Sequence, residues 1–188
     1  MSRTRTRCRW AAACPLLCAY HDHEWGRPER DGRALWEKLV LDGFQAGLSW
    51  KTVLAKRPAF RRAFAGFEPS RVARFGERQV ERLLADAAII RSRKKIAAAI
   101  GNARAYQRMQ HSDEPFAEFV WQFVDHQPQV GDGRAIPTQS PLSRQVARAL
   151  RARGFSFVGP TIVYAWLQAV GVVVDHQRDC FLWRPAGG

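Results

Sequence analysis

The sequence predicts an all-α fold, on three observations. Apolar residues recur at helical spacing in several separate stretches. Those stretches are punctuated by helix-starting residues, among them Asp31, Ser49, Pro69, Ser140-Pro141 and Pro160. Strand–helix alternation, heptad runs and internal repeats are all missing from the pattern. At 188 residues, 46% of them hydrophobic, the chain is one sizeable domain or two small ones sharing a core.

In chain order, the first thirty residues read as irregular: basic, then Cys-rich, then His21-Asp22-His23-Glu24-Trp25-Gly26-Arg27-Pro28, whose Gly26 and Pro28 mark a turn. Asp31 caps a first helix that runs to about Asp42, with Leu35, Leu39 and Val40 on or near one apolar stripe. Gly43 and Gly47 then break the pattern. A second helix runs from Ser49 to about Lys56. Pro58 starts another, carrying Phe60, Phe64 and Phe67 at spacings that suit one buried face.

Pro69-Ser70 opens a short helix ending near Phe75-Gly76. Glu77 to Ala87 is the next, with Val80, Leu83 and Leu84 inward. After Ile89-Ile90, the basic stretch Arg91-Ser92-Arg93-Lys94-Lys95-Ile96 leads a helix through Ile100 towards Tyr106. Glu118 to Val124 is helical, and residues 128–141, with three prolines and two glycines, form a long surface loop. Ser140-Pro141 starts a helix that ends before Gly154, and Pro160 starts the last one, Thr161 to Val170. The end of the chain, Arg184 to Gly188, is loose.

The charge points to a partner. Thirty Lys and Arg against seventeen Asp and Glu leave a net charge of +13, which fits nucleic acid or an anionic membrane surface. Seven tryptophans require an explanation in packing or in stacking on something flat. Cysteines at 8, 14, 18 and 180 are too sparse for a disulfide scaffold, so a reducing compartment is expected. Arg3, Arg5, Arg7 and Arg9 before the apolar run Trp10 to Tyr20 mimic a signal peptide. Pro15 inside that run and the His/acid stretch after it argue for mature protein. No stretch approaches 18 apolar residues, so no transmembrane helix is expected.

Three places carry chemistry. In Leu41-Asp42-Gly43-Phe44-Gln45-Ala46-Gly47-Leu48-Ser49-Trp50, a carboxylate, an amide, a hydroxyl and an indole surround two glycines. That composition suits a pocket for a flat ligand, or an ordinary turn with its polar groups in water. The basic start at Arg91, Arg93 and Lys95 follows a short apolar turn between two helices. Backbone N–H groups and cations meet there, which suits a phosphate, or simply a solvated helix end. Finally, His176 and Cys180 stand at i and i+4, and one Cys and one His from each end of the chain would make a closed structural zinc site. On spacing alone Cys14, Cys18 and His23 compete with Cys8 and His21 for the N-terminal share.

Across nearly its whole length the chain resembles the type I 3-methyladenine DNA glycosylases, base-excision repair enzymes of the helix-hairpin-helix group. The matching residues are Arg7-Cys8-x-Trp10, Tyr20-His21-Asp22-x-Glu24-Trp25-Gly26 and Gly43-Phe44-Gln45-Ala46-Gly47-Leu48-Ser49-Trp50. They continue through Asp86-Ala87-x-Ile89-Ile90-Arg91-x-Arg93-x-Lys95-Ile96, Asn102-Ala103-Arg104-Ala105-Tyr106, Phe119-Val120-Trp121, Arg153-Gly154-Phe155-x-Phe157-Val158-Gly159 and Asp175-His176-x-x-x-Cys180.

The resemblance implies a helix-hairpin-helix glycosylase architecture with the two termini joined by one structural zinc ion on Cys8, His21, His176 and Cys180. Residues 1–30 plus 116–188 would form the zinc-clamped terminal part. Residues 31–115 would carry the pocket and the hairpin. The implied reaction is hydrolysis of the N-glycosidic bond of 3-methyladenine in alkylated double-stranded DNA, without lyase activity, after the nucleotide is flipped out of the stack. Tyr20, Asp42, Phe44 and Trp50 would form the base pocket, with Asp42 the catalytic group. Gly47, Leu48, Arg91, Arg93 and Lys95 would contact DNA, Leu48 as the wedge in the gap left by the base. Free 3-methyladenine would be the product, and the enzyme a monomer of the bacterial cytoplasm with no membrane partner.

Two positions depart from the family. Asp42 stands where the family has Glu, so its carboxylate would stop over roughly 1 Å short unless the backbone shifts or a water bridges the gap. Ala88 stands at the hairpin glycine, a change that costs about 1 kcal/mol only if the turn needs a positive φ. Asp42 also keeps open a relative with a shifted alkyl-base preference, or a damaged-DNA binder that has lost turnover.

Overall fold

The structure is a computed structural model and describes residues 5–134 and 136–185. Arg3 and the end of the chain at 186–188 lie outside the described residues. Nine α-helices are described: α1 (Pro15–His23), α2 (Gly32–Gln45), α3 (Trp50–Ala63), α4 (Pro69–Val72), α5 (Glu77–Ala85), α6 (Arg93–His111), α7 (Phe116–Trp121), α8 (Pro141–Ala152) and α9 (Pro160–Ala169). The mostly helical fold agrees with the sequence reading, and several boundaries differ for physical reasons.

The first difference is α1, in a segment expected to be irregular. Pro15 occupies the first helical turn, where its missing N–H is no loss, and Leu17, Tyr20 and His21 bury one face. Burial therefore makes this short helix, which local propensity alone would not. The second is α2, which continues past Asp42 to Gln45 and takes Gly43 into its last turn. Gly43 has no positive φ; the left-handed residue is Gly47, at φ +79°, so only one of the two glycines ends the pattern. Asp31 caps this helix as expected, accepting from Ala34 N at 2.8 Å.

Pro58 does not start a helix. It lies inside the continuous α3 on an exposed position, while Phe60 extends the buried stripe begun by Val53 and Leu54. Ser49 is the cap, accepting from Thr52 N. Phe60, Phe64 and Phe67 are fully buried, as the spacing predicts. Phe67 gets there by a left-handed run, with φ +53° at Ala65, +70° at Gly66 and +53° at Phe67, that turns its ring flat onto Phe64. The turn expected to be loop throughout, residues 128–141, contains a strand, β1 (Gln129–Val130), paired parallel with β2 (Val173–Val174). Cys180 follows His176 on a tight turn, not on a helix, with Cys180 N bonded to Gln177 O.

Two hydrophobic clusters result. The larger is built around Trp36, Trp121, Trp166 and the phenylalanines of α3 and α7. The smaller gathers Cys8, Leu17, Tyr20, Trp25, Ala169 and Cys180 from both ends of the chain, with Leu54 from α3. Trp50 packs against both. No described helix is long and apolar enough to cross a membrane.

Candidate functional site

Where the two clusters meet, a cavity of about 250 Å³ is lined by Trp10, Tyr20, Trp25, Asp42, Gln45, Trp50, Ile136, Ala165, Gln168 and Ala169. α1 supplies Tyr20, the last turn of α2 supplies Asp42, and Trp50 is the first residue of α3. Tyr20 and Trp50 lie with ring centroids 5.4 Å apart, and Trp10 and Trp25 meet edge-on at 5.1 Å. The tryptophan excess thus divides between core packing and an aromatic-walled cavity.

Asp42 is 4% exposed, and its Oδ2 has no hydrogen-bond partner. The indole Nε1 of Trp50 is likewise buried without one. Burial holds the Asp42 carboxyl well above the usual carboxylate range, against a weaker opposing pull from Lys38. Burial also raises the Tyr20 phenol, and the facing Asp42 adds to it. A buried acceptor and a buried donor left unpaired in the same aromatic cavity are costly unless a ligand completes them. A flat cation with a hydrogen-bond donor completes and neutralises the carboxylate and can stack on the indole face, while the in-plane Trp50 N–H needs a separate acceptor.

Phe44 does not join Tyr20, Asp42 and Trp50. Two residues along a helix is slightly more than half a turn, so its ring points away from the cavity into the core, where it meets Phe60 at 4.7 Å. Sequence reading did not assign Trp10, Trp25 or Gln168 to this wall. The tryptophan excess signalled the first two, while Gln168 arrives from α9 by packing alone. Its Nε2 donates to Asp175 Oδ2 at 2.9 Å.

Beyond the cavity, Gly47 makes the turn that leaves Leu48 44% exposed. Below it, Lys95 Nζ donates to Phe44 O at 2.9 Å and Ala46 O at 2.6 Å, so α6 holds the end of the pocket helix. α5 and α6 are joined by a turn at residues 86–92. Ala88 has no positive φ, and its N–H donates to Asp86 Oδ1 at 2.8 Å. This turn therefore accepts alanine without backbone strain. Lys56 Nζ holds the turn through the carbonyls of Ala87 and Ala88 at 3.1 and 3.0 Å. Of the three basic residues expected to meet DNA at the start of α6, Arg93 pairs with Glu77 and Glu81 and Lys95 is turned to the α2 carbonyls. Arg91 is exposed and makes no ion pair among the described residues.

On the other side of the Trp25 wall, Cys8, His21, His176 and Cys180 are all buried, with their donor atoms within 4.8 Å of one another. Cys8 Sγ lies 3.6 Å and Cys180 Sγ 3.7 Å from His176 Nδ1, and Cys180 Sγ lies 3.4 Å from His21 Nε2. Bonds of about 2.3 Å to sulfur and about 2.0–2.1 Å to nitrogen in a tetrahedron require S···N edges of ~3.6 Å. The second His21 nitrogen, Nδ1, meets Asp22 Oδ1 at 2.9 Å, and Arg7 holds that carboxylate at 2.7 Å. Such a carboxylate orients a metal-ligating imidazole. Burial pushes the Cys8 thiol up to about 12 and holds the His176 imidazole down to about 4. The imidazole is thus in the neutral state a metal needs, whereas the thiol needs a cation to ionise. Cys14 and Cys18 stay outside the cluster, Cys18 donating to Ala11 O. Trp25 stacks on His21 and meets His176 edge-on at 4.8 Å, so the cluster supports one wall of the cavity.

Residues 10–183 match the family model described as "Methyladenine glycosylase". The chain is 52% identical over 177 residues to "DNA-3-methyladenine glycosylase 1" of Escherichia coli (strain K12), covering 93% of this chain and 95% of that one. A crystal structure of 3-methyladenine DNA glycosylase I superposes with a TM-score of 0.93 at 51% identity, covering 95% of this chain and 100% of the other. The Staphylococcus aureus 3-methyladenine DNA glycosylase I, solved to show the structural basis of 3-methyladenine recognition, superposes with a TM-score of 0.89 at 33% identity, covering 93% and 94%.

Proposed function

The chain belongs to the methyladenine glycosylase family, and from that premise we infer its reaction: it is a DNA-3-methyladenine glycosylase, which hydrolyses the N-glycosidic bond of 3-methyladenine in alkylated DNA. The observation that carries the assignment of residues is that two residues lining the aromatic cavity, Asp42 and Trp50, each keep a buried polar atom, Oδ2 and Nε1, without a partner.

In the nucleotide, methylation at N3 makes the purine a cation, and the cation is what this cavity distinguishes. Trp50 and Tyr20 stack on the flipped base. Asp42 accepts from its exocyclic amine and supplies the counter-charge to the methylated base. A neutral adenine would offer no such compensation and would leave the buried carboxylate costly. Leaving-group chemistry then needs little acid catalysis. The N9–C1′ bond breaks with its electron pair going to the base, which discharges the cation, and water adds its oxygen to C1′ while its proton passes to solvent. No lysine lines the cavity among the described residues, in keeping with hydrolysis without a Schiff-base step.

Leu48, exposed on the Gly47 turn, fills the gap left by the base. The unit α5–turn–α6 works as a helix-hairpin-helix grip on the phosphodiester backbone, with Gly47 and the α6 start at its edge and Arg91 the available cation. Arg93 would have to leave Glu77 and Glu81 to take part, and Lys95 acts by holding the pocket loop. One zinc ion on Cys8, His21, His176 and Cys180 would be structural, since four protein ligands leave no open position. We further propose that the enzyme acts as a monomer in a reducing cytoplasm, where its four free cysteines would persist.

The test is release of 3-methyladenine from methylated duplex DNA by wild type, Asp42→Asn and Asp42→Glu. The wild type should release it, Asn should lose most of that activity, and Glu should keep or raise it. Tight binding of the DNA by wild type without any release would defeat the catalytic reading. Release of a different alkylated base in its place would defeat the substrate.

A further inference from the structure

One charged feature has no part in the site above. Arg62 at the end of α3, Arg71 and Arg74 on and just after α4, and Arg82 on α5 line a surface depression of about 580 Å³, together with Ala65, Phe75 and Gln79. Four guanidinium groups from three elements repel one another unless an anion neutralises them. None of the four is in an ion pair with a carboxylate among the described residues.

The carboxylates nearby are already committed. Glu77 and Glu81 both take Arg93, and Glu68 accepts from the N–H and hydroxyl of Ser70. The neighbouring Arg61 is paired with Glu37, so the site is made of the arginines left over after local pairing. Its floor is braced. Arg104 on α6 donates to Ala73 O at 3.0 Å and Phe75 O at 3.3 Å, fixing the α4–α5 connection, and Arg74 Nε donates to Ser70 O at 3.0 Å. Buttressed, unpaired, planar donors of this kind match phosphate oxygens.

We propose that Arg62, Arg71, Arg74 and Arg82 form a second phosphodiester-binding site that takes the backbone of the duplex flanking the lesion. This rests on the glycosylase reading. Two helices run from the depression to the hairpin turn. On α5, Gln79 lines the depression and Asp86 begins the turn. On α3, Arg62 lines the depression and Lys56 holds the turn. Helical rise makes each distance about 10 Å. Successive phosphates of one strand rise ~3.4 Å along the duplex axis and also turn around it, so a strand held at the hairpin would reach the depression within about two phosphates. The site therefore extends the footprint to one side of the lesion.

The experiment measures binding of the full-length protein to duplexes carrying one stable abasic-site analogue, as a function of salt. One duplex extends well past the lesion on both sides; two others have one or the other flank cut back to a few base pairs. Wild type is compared with Arg62→Ala/Arg71→Ala/Arg74→Ala, all exposed positions, with melting temperature as the fold control. On the long duplex the variant's slope of log K against log salt should be shallower by about 0.9 for each phosphate it no longer neutralises. Cutting back one particular flank should bring wild type to the variant's slope, and cutting back the other should not. Equal slopes for both proteins on every duplex would overturn the proposal. So would pyrophosphate binding that depends on these arginines but does not compete with DNA, which would make this a small-anion site. Base release from methylated DNA at saturating protein is read in parallel. It should be unchanged in the variant, and its absence in both proteins would count against the enzyme assignment instead.

Discussion

Two buried polar clusters share the Trp25 wall, and they differ in one respect. In the Cys8–His21–His176–Cys180 cluster every polar side chain faces another, and Asp22 and Arg7 complete the outer layer. In the cavity, Asp42 Oδ2 and Trp50 Nε1 have nothing. A closed set of four donors could hold an ion and would then fix the chain; an incomplete set walled by aromatic rings suits a ligand. Trp36 Nε1 in the core is unpartnered too, so what sets the second arrangement apart is a buried carboxylate oxygen left unpartnered beside an aromatic-walled cavity, which a bound ligand can compensate.

The comparison can be broken most forcefully at the closed cluster. Structural zinc contributes roughly 10–16 kcal/mol in small zinc-dependent domains. Chelation or Cys180→Ser should therefore lower the melting temperature sharply and unpin the Trp25 wall, with base release lost in step with structure. Loss of release with melting unchanged would show that the metal acts in the chemistry. The next effect is on catalysis. Asp42→Asn removes the counter-charge and should lower kcat/KM for 3-methyladenine release by about 10²–10³, the usual cost of losing one such electrostatic partner.

The same substitution should have the opposite effect on the fold. A raised folded-state pKa means that ionisation opposes folding. Wild-type stability should fall as pH rises through the unfolded carboxylate value of about 3.9 towards the higher folded one. At neutral pH, Asp42→Asn should thus be more stable by about 1–3 kcal/mol, and the difference should vanish below the ordinary carboxylate range. Thermal melts of both proteins across that range decide it, and a less stable Asn variant at neutral pH would show that Asp42 is compensated in the empty protein. The smallest change expected is Trp50→Phe, which keeps a stacking ring but removes the orphaned N–H. Relief of the unpaired N–H and the void left by the smaller ring oppose each other, so melting should change little, and base recognition should weaken by about 0.5–1.5 kcal/mol, seen as competition by free 3-methyladenine in the release assay.

Much of the fold was legible because the residues that start these helices act locally. Asp31, Ser49 and Ser140 cap where their side chains reach the third N–H onward, whatever surrounds them. The misreadings share a cause. α1, the continuity of α3 through Pro58 and the β1–β2 pairing all depend on partners distant in sequence. Phe44 was placed in the pocket by its neighbours in the motif, whereas helical geometry turns it into the core. That Lys95 meets the carbonyls of Phe44 and Ala46, and Arg93 two glutamates, is not visible in the sequence that groups both with Arg91 as DNA contacts, because those partners lie far along the chain.

By itself the sequence determined the helical class, and it offered the stretch around Asp42 and Trp50 as a pocket or an ordinary turn and a Cys/His set from both termini in which Cys14, Cys18 and His23 competed. These follow from side-chain periodicity, turn chemistry and ligand type, all properties of residues near one another or of their chemistry alone. Tertiary structure decided which Cys and His atoms stand at metal-ligand distances and which aromatics wall the cavity. It also decided that Asp42 is buried without a partner. That last property cannot be read from any window of sequence, because it is made by what helices from elsewhere in the chain place, and fail to place, beside one carboxylate.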